Sequence, residues 1–446
     1  MKNKIYNIFL ICSISLITYG QDFDTSIPNV VPPNPTAYQF LTYGNIPVVN
    51  STGAFSYTIP IYTVNYNDIT IPVTLNYSSN GVKVDQLSSI VGTDWNLNTG
   101  GIISRIMHGQ PDEHGNRWYA ETINLNDYDN KVKIRNIALG ISFIDTEQDW
   151  FYFSVGDISG SFFFDENMNI KLNCEEYVKI DFTYSQFPVT SSFTITDNKG
   201  YKYRFGGNAD YYENTTMTTD NGLLGDKVSN CITSWFLKEI ESPANNKVTF
   251  TYDTKNNMNY LSNITETINC AQQLSNICPY PGNNYRVEPK TTPQQIMSKT
   301  PILTKISFGN SEIIFDYGNM SMIEKIYLNN ITVKHNNETK RTVSFSYNLI
   351  SCSGTLPDGV SSFLHSRNRL FLTKVSFKDA VGIEQEKYQF DYHKLNQVPA
   401  RLSYAKDKYG FPGFKNNYSA FSKKVWDEEV SCLISERFSG IFKTIS

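Results

Sequence analysis

The sequence predicts an almost entirely β-structured fold made of stacked β-hairpins, an open or partly closed β array with few short helices. Three observations predict it. Aromatic residues make up 14% of the 446 residues and charged residues only 18%, a mix that suits pleated, half-buried strands. Apolar and polar residues alternate with period two, whereas helical periodicity is scarce. The second half also repeats a short unit that opens with a Leu/Ile-x-x-Ile/Val step and closes with Phe-x-Tyr.

Four segments follow in order. Lys2 and Lys4 precede an apolar run over 5–17 and the small-residue exit Thr18-Tyr19-Gly20. This reads as a cleaved secretory signal over 1–20, its apolar run too short to span a bilayer. The mature chain is expected outside the cell, at the outer cell surface or in the periplasm, with no integral membrane segment. Residues 21–50 carry Pro28, Pro32, Pro33 and Pro35, which restrict the backbone to an extended leader. An N-terminal β domain is expected over 51–185 and a hairpin repeat region over 186–446.

Within the β domain, 55–59 and 69–77 alternate as strands, with Pro72 marking an edge or a bulge. Further strands are expected at 150–155, 161–164, 192–196 and 201–205. Helical turns are expected only around 84–90 and 294–297.

The repeat openings fall at 237–240, 303–306, 323–326 and 372–375. The closings are Phe250/Tyr252, Phe315/Tyr317, Phe345/Tyr347 and Phe390/Tyr392. Turn signals lie between them at Pro243-Ala244-Asn245-Asn246, Gly309-Asn310 and His335-Asn336-Asn337, so each unit is a hairpin with aromatic residues on one face of its second strand. A single hairpin cannot bury that face; a stack can. Tyr252, Tyr317, Tyr347 and Tyr392 are therefore assigned structural roles.

The chain has seven cysteines. Cys12 leaves with the signal. Cys270 and Cys278, flanking a short polar stretch of the long loop over 262–301, are the candidate disulfide in an exported protein; buried free thiols are the alternative. Wide spacing and few histidines argue against zinc. A net charge of −4 without a Lys/Arg cluster argues against nucleic acid as a partner.

The densest set of polar ligands is His108 and His114 with Asp112 and Glu113, but two histidines six apart converge on neither a helix nor a strand. Asp145, Glu147 and Asp149 lack the oxygen density and glycine of a calcium loop, as does Asp220-Asn221-Gly222. Nucleophile elbows, phosphate loops and dinucleotide glycine patterns are missing. No catalytic residue, metal or cofactor is expected. Of Trp95, Trp118, Trp150, Trp235 and Trp426, Trp95 is read as a buried anchor; exposed tryptophans would form a sugar-stacking platform.

The unit Trp235-Phe236-Leu237-Lys238-Glu239-Ile240-Glu241-Ser242-Pro243, continuing to Phe250-Thr251-Tyr252-Asp253, resembles the tyrosine-aspartate (YD) repeats of the RHS superfamily. The segments Gly53-Ala54-Phe55-Ser56-Tyr57-Thr58-Ile59-Pro60, Leu75-Asn76-Tyr77-Ser78-Ser79-Asn80-Gly81 and Val91-Gly92-Thr93-Asp94-Trp95-Asn96-Leu97-Asn98-Thr99-Gly100-Gly101-Ile102 are similar to the opening of RHS-type secreted proteins of the Bacteroidota, and more distantly to B components of insecticidal toxin complexes. The resemblance covers residues 36–418 and gives Trp95, Gly100 and Gly101 structural roles. Asp94 departs from it, standing where the family more often has glycine.

The resemblance implies a secreted, non-catalytic scaffold, the plug and early shell of a hollow β assembly, in cell-surface or interbacterial toxin-related interactions. The partner it implies is a protein or an encapsulated polypeptide. The chain stops at Ser446 before any long repeat array, which leaves a truncated frame and a stand-alone relative both open. A cell-surface adhesion or carbohydrate-binding module, with a surface glycan as ligand, is the alternative.

Overall fold

A computed structural model describes residues 30–31, 56–79, 81–108, 111–114, 127–138, 147–165, 167–186, 189–220, 226–254, 257–267, 290–320, 325–357, 360, 364–407 and 409–413. The fold is mostly β, 64% strand, in large antiparallel sheets that do not close into a barrel. No described helix is long and apolar enough to cross a membrane. The predicted signal, most of the leader, and Cys270, Cys278, Cys432, Trp118, Trp426 and Asp145 lie outside the described residues.

The chain opens with β1 (Val30–Val31). β2 (Ser56–Tyr66) and β3 (Ile69–Ser78) form a hairpin, and β4 (Trp95–Asn98) pairs along the end of β3. Alternation puts Ile59, Ile61, Val64, Ile69, Ile71, Val73 and Leu75 inward. Pro72 is tolerated because β4 reaches only Thr74 to Tyr77, so β3 is an edge at the proline.

β5 (Gly101–His108) begins a meander with β6 (Trp150–Val155), β7 (Ile158–Phe164) and β8 (Ile170–Cys174). Between β5 and β6 lies α1 (Tyr128–Ala138), with Asp129 in its first turn and Arg135 in its last, as the helix dipole favours. Next come β9 (Val178–Gln186), β10 (Val189–Asp197), β11 (Lys202–Gly206), β12 (Tyr212–Asp220) and β13 (Asp226–Glu241).

β13 belongs to two sheets. Its first part pairs with β12 and β5; Leu237 to Glu241 pair with β11 and, at the end, β14 (Lys247–Asp253). Bulges opposite Glu213/Asn214 and Arg204/Phe205 let one strand turn from one sheet into the other. Adding β15 (Asn257–Thr267) and β16 (Lys290–Lys299), the first sheet runs β8-β7-β6-β5-β13-β12-β16-β15. β1 pairs with the end of β5. The turn expected at 294–297 lies inside β16, so that expectation is corrected: pairing with β12 and β15 on both sides outweighs local propensity. Residues 84–90 form turns without a helix.

The second sheet continues from β14 through β17 (Ile302–Phe308), β18 (Ser311–Met320), β19 (Lys325–His335), β20 (Glu338–Ser351), β21 (Asn368–Lys378) and β22 (Glu384–Gln389). On its other side β11 leads to β10 and β9. Trp235, where β13 crosses, packs edge-on against Phe193 at 5.0 Å and donates Nε1–H to Ser191 Oγ at 3.0 Å. Phe151, Phe162 and Phe164 join them in one core.

Four hairpins, β13–β14, β17–β18, β19–β20 and β21–β22, share one device. In each, the ladder between the two strands stops two residues after a leucine of the opening strand, at Glu239, Lys305, Asn330 and Lys374. The strands then splay, and a closing tyrosine hydroxyl replaces the missing bond. Tyr252 Oη donates to the carbonyl of Leu237 at 2.9 Å, Tyr317 to Leu303 at 2.7 Å, Tyr347 to Leu328 at 2.7 Å and Tyr392 to Leu372 at 2.7 Å. A β-bulge follows each leucine on its other edge, and from the second hairpin on the previous hairpin's tyrosine sits opposite it: Tyr252 to Leu303, Tyr317 to Leu328, Tyr347 to Leu372. The third opening is thus Leu328 to Ile331, not 323–326; Ile323 and Ile326 fit the apolar spacing but precede the bulge.

Burial pushes the phenols of Tyr252, Tyr317 and Tyr347 well above their ordinary range, so they stay protonated donors. Tyr317→Phe deletes one donor and leaves the Leu303 carbonyl unpaired. It is expected to cost about 1–3 kcal/mol, read by denaturant unfolding; a change below about 0.3 kcal/mol, within ordinary surface-substitution effects, would show that the hydroxyl is dispensable.

Candidate functional site

Residues 81–101 fill the inner side of the splayed hairpins. Leu328 donates its amide to the carbonyl of Ile90 at 2.9 Å, and Thr93 sends both N–H and Oγ1–H to the carbonyl of Leu370 at 2.7 and 2.9 Å. Leu370 returns its amide to Ser88 Oγ at 3.2 Å. The hairpins therefore lend the block the backbone groups that their own splay leaves over. Gly92 has φ +103, and a Cβ there would meet the Leu372 amide nitrogen at 2.9 Å.

Trp95 is 2% exposed and anchors the block. Its Nε1–H donates to Tyr392 Oη at 2.8 Å, and Tyr392 passes its own proton to Leu372, so one relay joins β4 to the last hairpin. Tyr77 and Phe390 hold the indole from two sides, with centroids at 5.0 and 4.6 Å. Gly100, at φ +77, lies where a Cβ would meet Phe250 at 2.9 Å, and Gly101 lies against Val155 and Ser154. Asp94 keeps the left-handed turn at φ +63. Its carboxylate accepts from Gln86 Nε2 at 2.8 Å, a local bond of the kind that lets aspartate adopt a conformation glycine would take freely.

Beyond β22 the chain turns back across this block. Arg401 donates its amide to Ser366 at 2.7 Å, Val84 donates to Gly410 at 2.8 Å, and Lys406 pairs with Asp85 at 2.6 Å. The block is thus clamped between the hairpins and residues 399–413.

The two polar clusters singled out in the sequence meet at Arg105, whose side chain is fully buried. Arg105 Nη1 lies 2.7 Å from Glu113 and 3.4 Å from Asp149, and Nη2 donates to the carbonyl of Ile232. The rings of Phe151 and Trp235 cover the guanidinium. Asp149 also accepts from the amides of His108 at 2.8 Å and Asp112 at 3.3 Å, and Asp112 accepts from the amide of Asp149 at 3.2 Å. Glu147 stays on the surface, 3.9 Å from His108 Nδ1. Asp149 is buried and Glu147 exposed, and both precede β6. His114 ends the short turn Asp112–His114.

A second buried carboxylate, Glu213, accepts from Thr233 and Thr300 hydroxyls at 2.7 Å each. Among the described residues, no three His, Cys, Asp or Glu side chains converge as metal ligands do. Cys174, Cys231 and Cys352 are free thiols, and burial pushes Cys231 up to about 11, away from the reactive thiolate. Trp235 is buried and Trp150 half-buried against Phe163. Asp220 ends β12; Asn221 and Gly222 lie outside the described residues.

Sequence reasoning missed Arg105, Arg369, Arg401 and Glu213. The available signal was an Arg beside an apolar run: Ile102-Ile103 and Ile106-Met107 around Arg105, and Leu370-Phe371-Leu372 after Arg369.

No family model matches the sequence, and no curated protein matches it. Among solved structures the fold is similar to that of TcdB2-TccC3-TEV, over 78% of this chain and 16% of that chain, at 10% identity and a TM-score of 0.38. It is also similar to the N-terminal domain of the effector protein SpvB from Salmonella typhimurium strain LT2, over 75% of this chain and 99% of that one, at 11% identity and a TM-score of 0.33. Both likenesses are distant ones of fold.

Burial pushes the Asp149 carboxyl up to about 6, against the pull of Arg105, whose charge is engaged first by the closer Glu113. A folded-state value raised above the unfolded one means that the protonated acid stabilises the fold at low pH and that this contribution fades as pH rises from about 4 to about 6. Relative to Asp149→Asn, the natural protein should lose about 2 kcal/mol between pH 4 and pH 7. Denaturant unfolding of both proteins at both pH values measures this; a difference that does not move with pH would contradict it.

Proposed function

We propose that this chain is a secreted, non-catalytic β scaffold of the RHS/YD-repeat kind, the part that starts or closes a β shell around another polypeptide, in cell-surface or interbacterial toxin-related interactions. The observation that carries this reading is the ladder of tyrosine-latched hairpins seated on the block over 81–101. Each hairpin offers the next an identical joint, a bulged leucine that takes a tyrosine opposite it, and this is how a shell grows by repetition. The sequence resemblance to YD repeats falls on the first of these hairpins, residues 235–243 and 250–253.

The buried chemistry fits support rather than turnover. Arg105, Asp149 and Glu213 spend their bonds on backbone and neighbouring side chains. Trp95 and Trp235 face inward, which removes them from any sugar-stacking platform and leaves the adhesion reading only the half-buried Trp150 among the described tryptophans.

The test is to produce the mature chain alone and together with the polypeptide encoded next to it, and to follow proteolysis of that polypeptide. The scaffold reading expects protection only in co-production, and no hydrolysis of ester, glycoside, peptide or phosphodiester substrates by the chain alone. Equal digestion in both cases, or an activity abolished by one substitution outside the core, would overturn it.

A further inference from the structure

Arg369 of β21 and Arg401 of the returning segment are each 2% exposed and line one small cavity together with Gln86, Ser88, His365 and Asn368. It has room for a single water or halide ion.

The charges around it do not balance. Arg369 donates Nη1 to the carbonyl of Gln86 at 2.9 Å and Nη2 to that of Val84 at 2.6 Å. Arg401 donates Nε to the carbonyl of Asp85 at 2.8 Å and reaches that of Ser262 at 3.4 Å. All four acceptors are neutral. Arg369 Nε and Arg401 Nη1 are buried without a partner. No carboxylate lines the cavity. The nearby acids act on the arginines only through their charge: Asp85, on both, makes its ion pair with Lys406 at 2.6 Å, and Asp94, on Arg369, accepts from Gln86 at 2.8 Å. Burial keeps the Cys352 thiol beside Arg369 protonated, so it adds no negative charge.

Two buried cations whose hydrogen bonds all go to neutral carbonyls, with no carboxylate in contact, raise the energy of the fold, and a counter-ion between them lowers it. Consistent with that imbalance, Arg401 is pulled down to about 10, by burial first and then by the charge of Arg369.

We propose that this cavity is a binding site for one small monovalent anion, of halide or formate size, held between Arg369 and Arg401. The anion closes the clamp: it ties β21 and the returning segment to the carbonyls of residues 84–86, so occupancy sets how firmly the block over 81–101 is held. The site stands independently of the scaffold reading.

The test compares thermal unfolding of the mature chain in sodium chloride, bromide or formate with sodium gluconate at matched ionic strength, gluconate being too large for the cavity. A tenfold excess of chloride over its dissociation constant should raise Tm by about 2 °C, and Arg401→Gln should lose that increment. Formate matching chloride would assign the site to small carboxylates as well as halides; chloride and bromide acting alone would restrict it to halides. Crystals soaked in bromide should show an anomalous peak in the cavity, which decides the matter even if Arg401→Gln does not fold. A water in place of bromide, with equal Tm in all four salts, would overturn the proposal.

Discussion

The constraint on which the molecule depends is that a buried backbone carbonyl must have a partner. Each hairpin of the second sheet gives up its ladder two residues beyond a leucine and then spreads. Spreading lets the sheet curve and makes room for the block over 81–101, but it strands carbonyls in an apolar interior, where an unmade bond costs more than a made one gains. The tyrosine hydroxyls of Tyr252, Tyr317, Tyr347 and Tyr392 resolve this from the side. From within, Thr93 donates to the Leu370 carbonyl, while the Ile90 carbonyl and the Ser88 hydroxyl oxygen accept from the left-over amides of Leu328 and Leu370.

The same constraint explains the polar interior. β13 can belong to two sheets because bulges let it turn, and at the turn Trp235 and Arg105 fill the space between the layers. Arg105 caps the carbonyl of Ile232 next to the bulge and is itself neutralised by Glu113 and Asp149. Arg369 and Arg401 do the equivalent work where the chain returns over the block, but with neutral acceptors alone. The two arginine sites differ in that Arg105 has carboxylates in contact, whereas Arg369 and Arg401 hydrogen-bond to neutral carbonyls.

Much of this was legible in the sequence. The aromatic run from Trp150 to Val155 located β6 over its full length, and Leu-x-x-Ile with Phe-x-Tyr marked the latch residues, because the leucine, the isoleucine and the phenylalanine face the core. The third hairpin was placed five residues early because Ile323 and Ile326 satisfy the same spacing; only the strand partner shows that Leu328 is the bulged leucine. α1 was missed because its apolar positions are few and its face polar, and β16 was misread because Gln294 and Gln295 carry no strand signal of their own. Pairings such as β5 with β13, or Trp95 with Tyr392 almost three hundred residues later, have no local trace. The buried arginines were invisible for a related reason: an Arg in an apolar strand looks like an exposed one until its partners, contributed by distant segments, are in place.

Amide hydrogen exchange over residues 84–95 tests the central claim most directly, since this segment is mostly turn and coil yet is held here by hairpin backbone. If the splayed hairpins and the block complete each other's hydrogen bonds, the amides of Gly92, Thr93 and Leu328 exchange as slowly as those of β19 and β21, through global unfolding. Exchange of residues 84–95 at the rate of an open loop, with β19 and β21 still protected, would contradict the account.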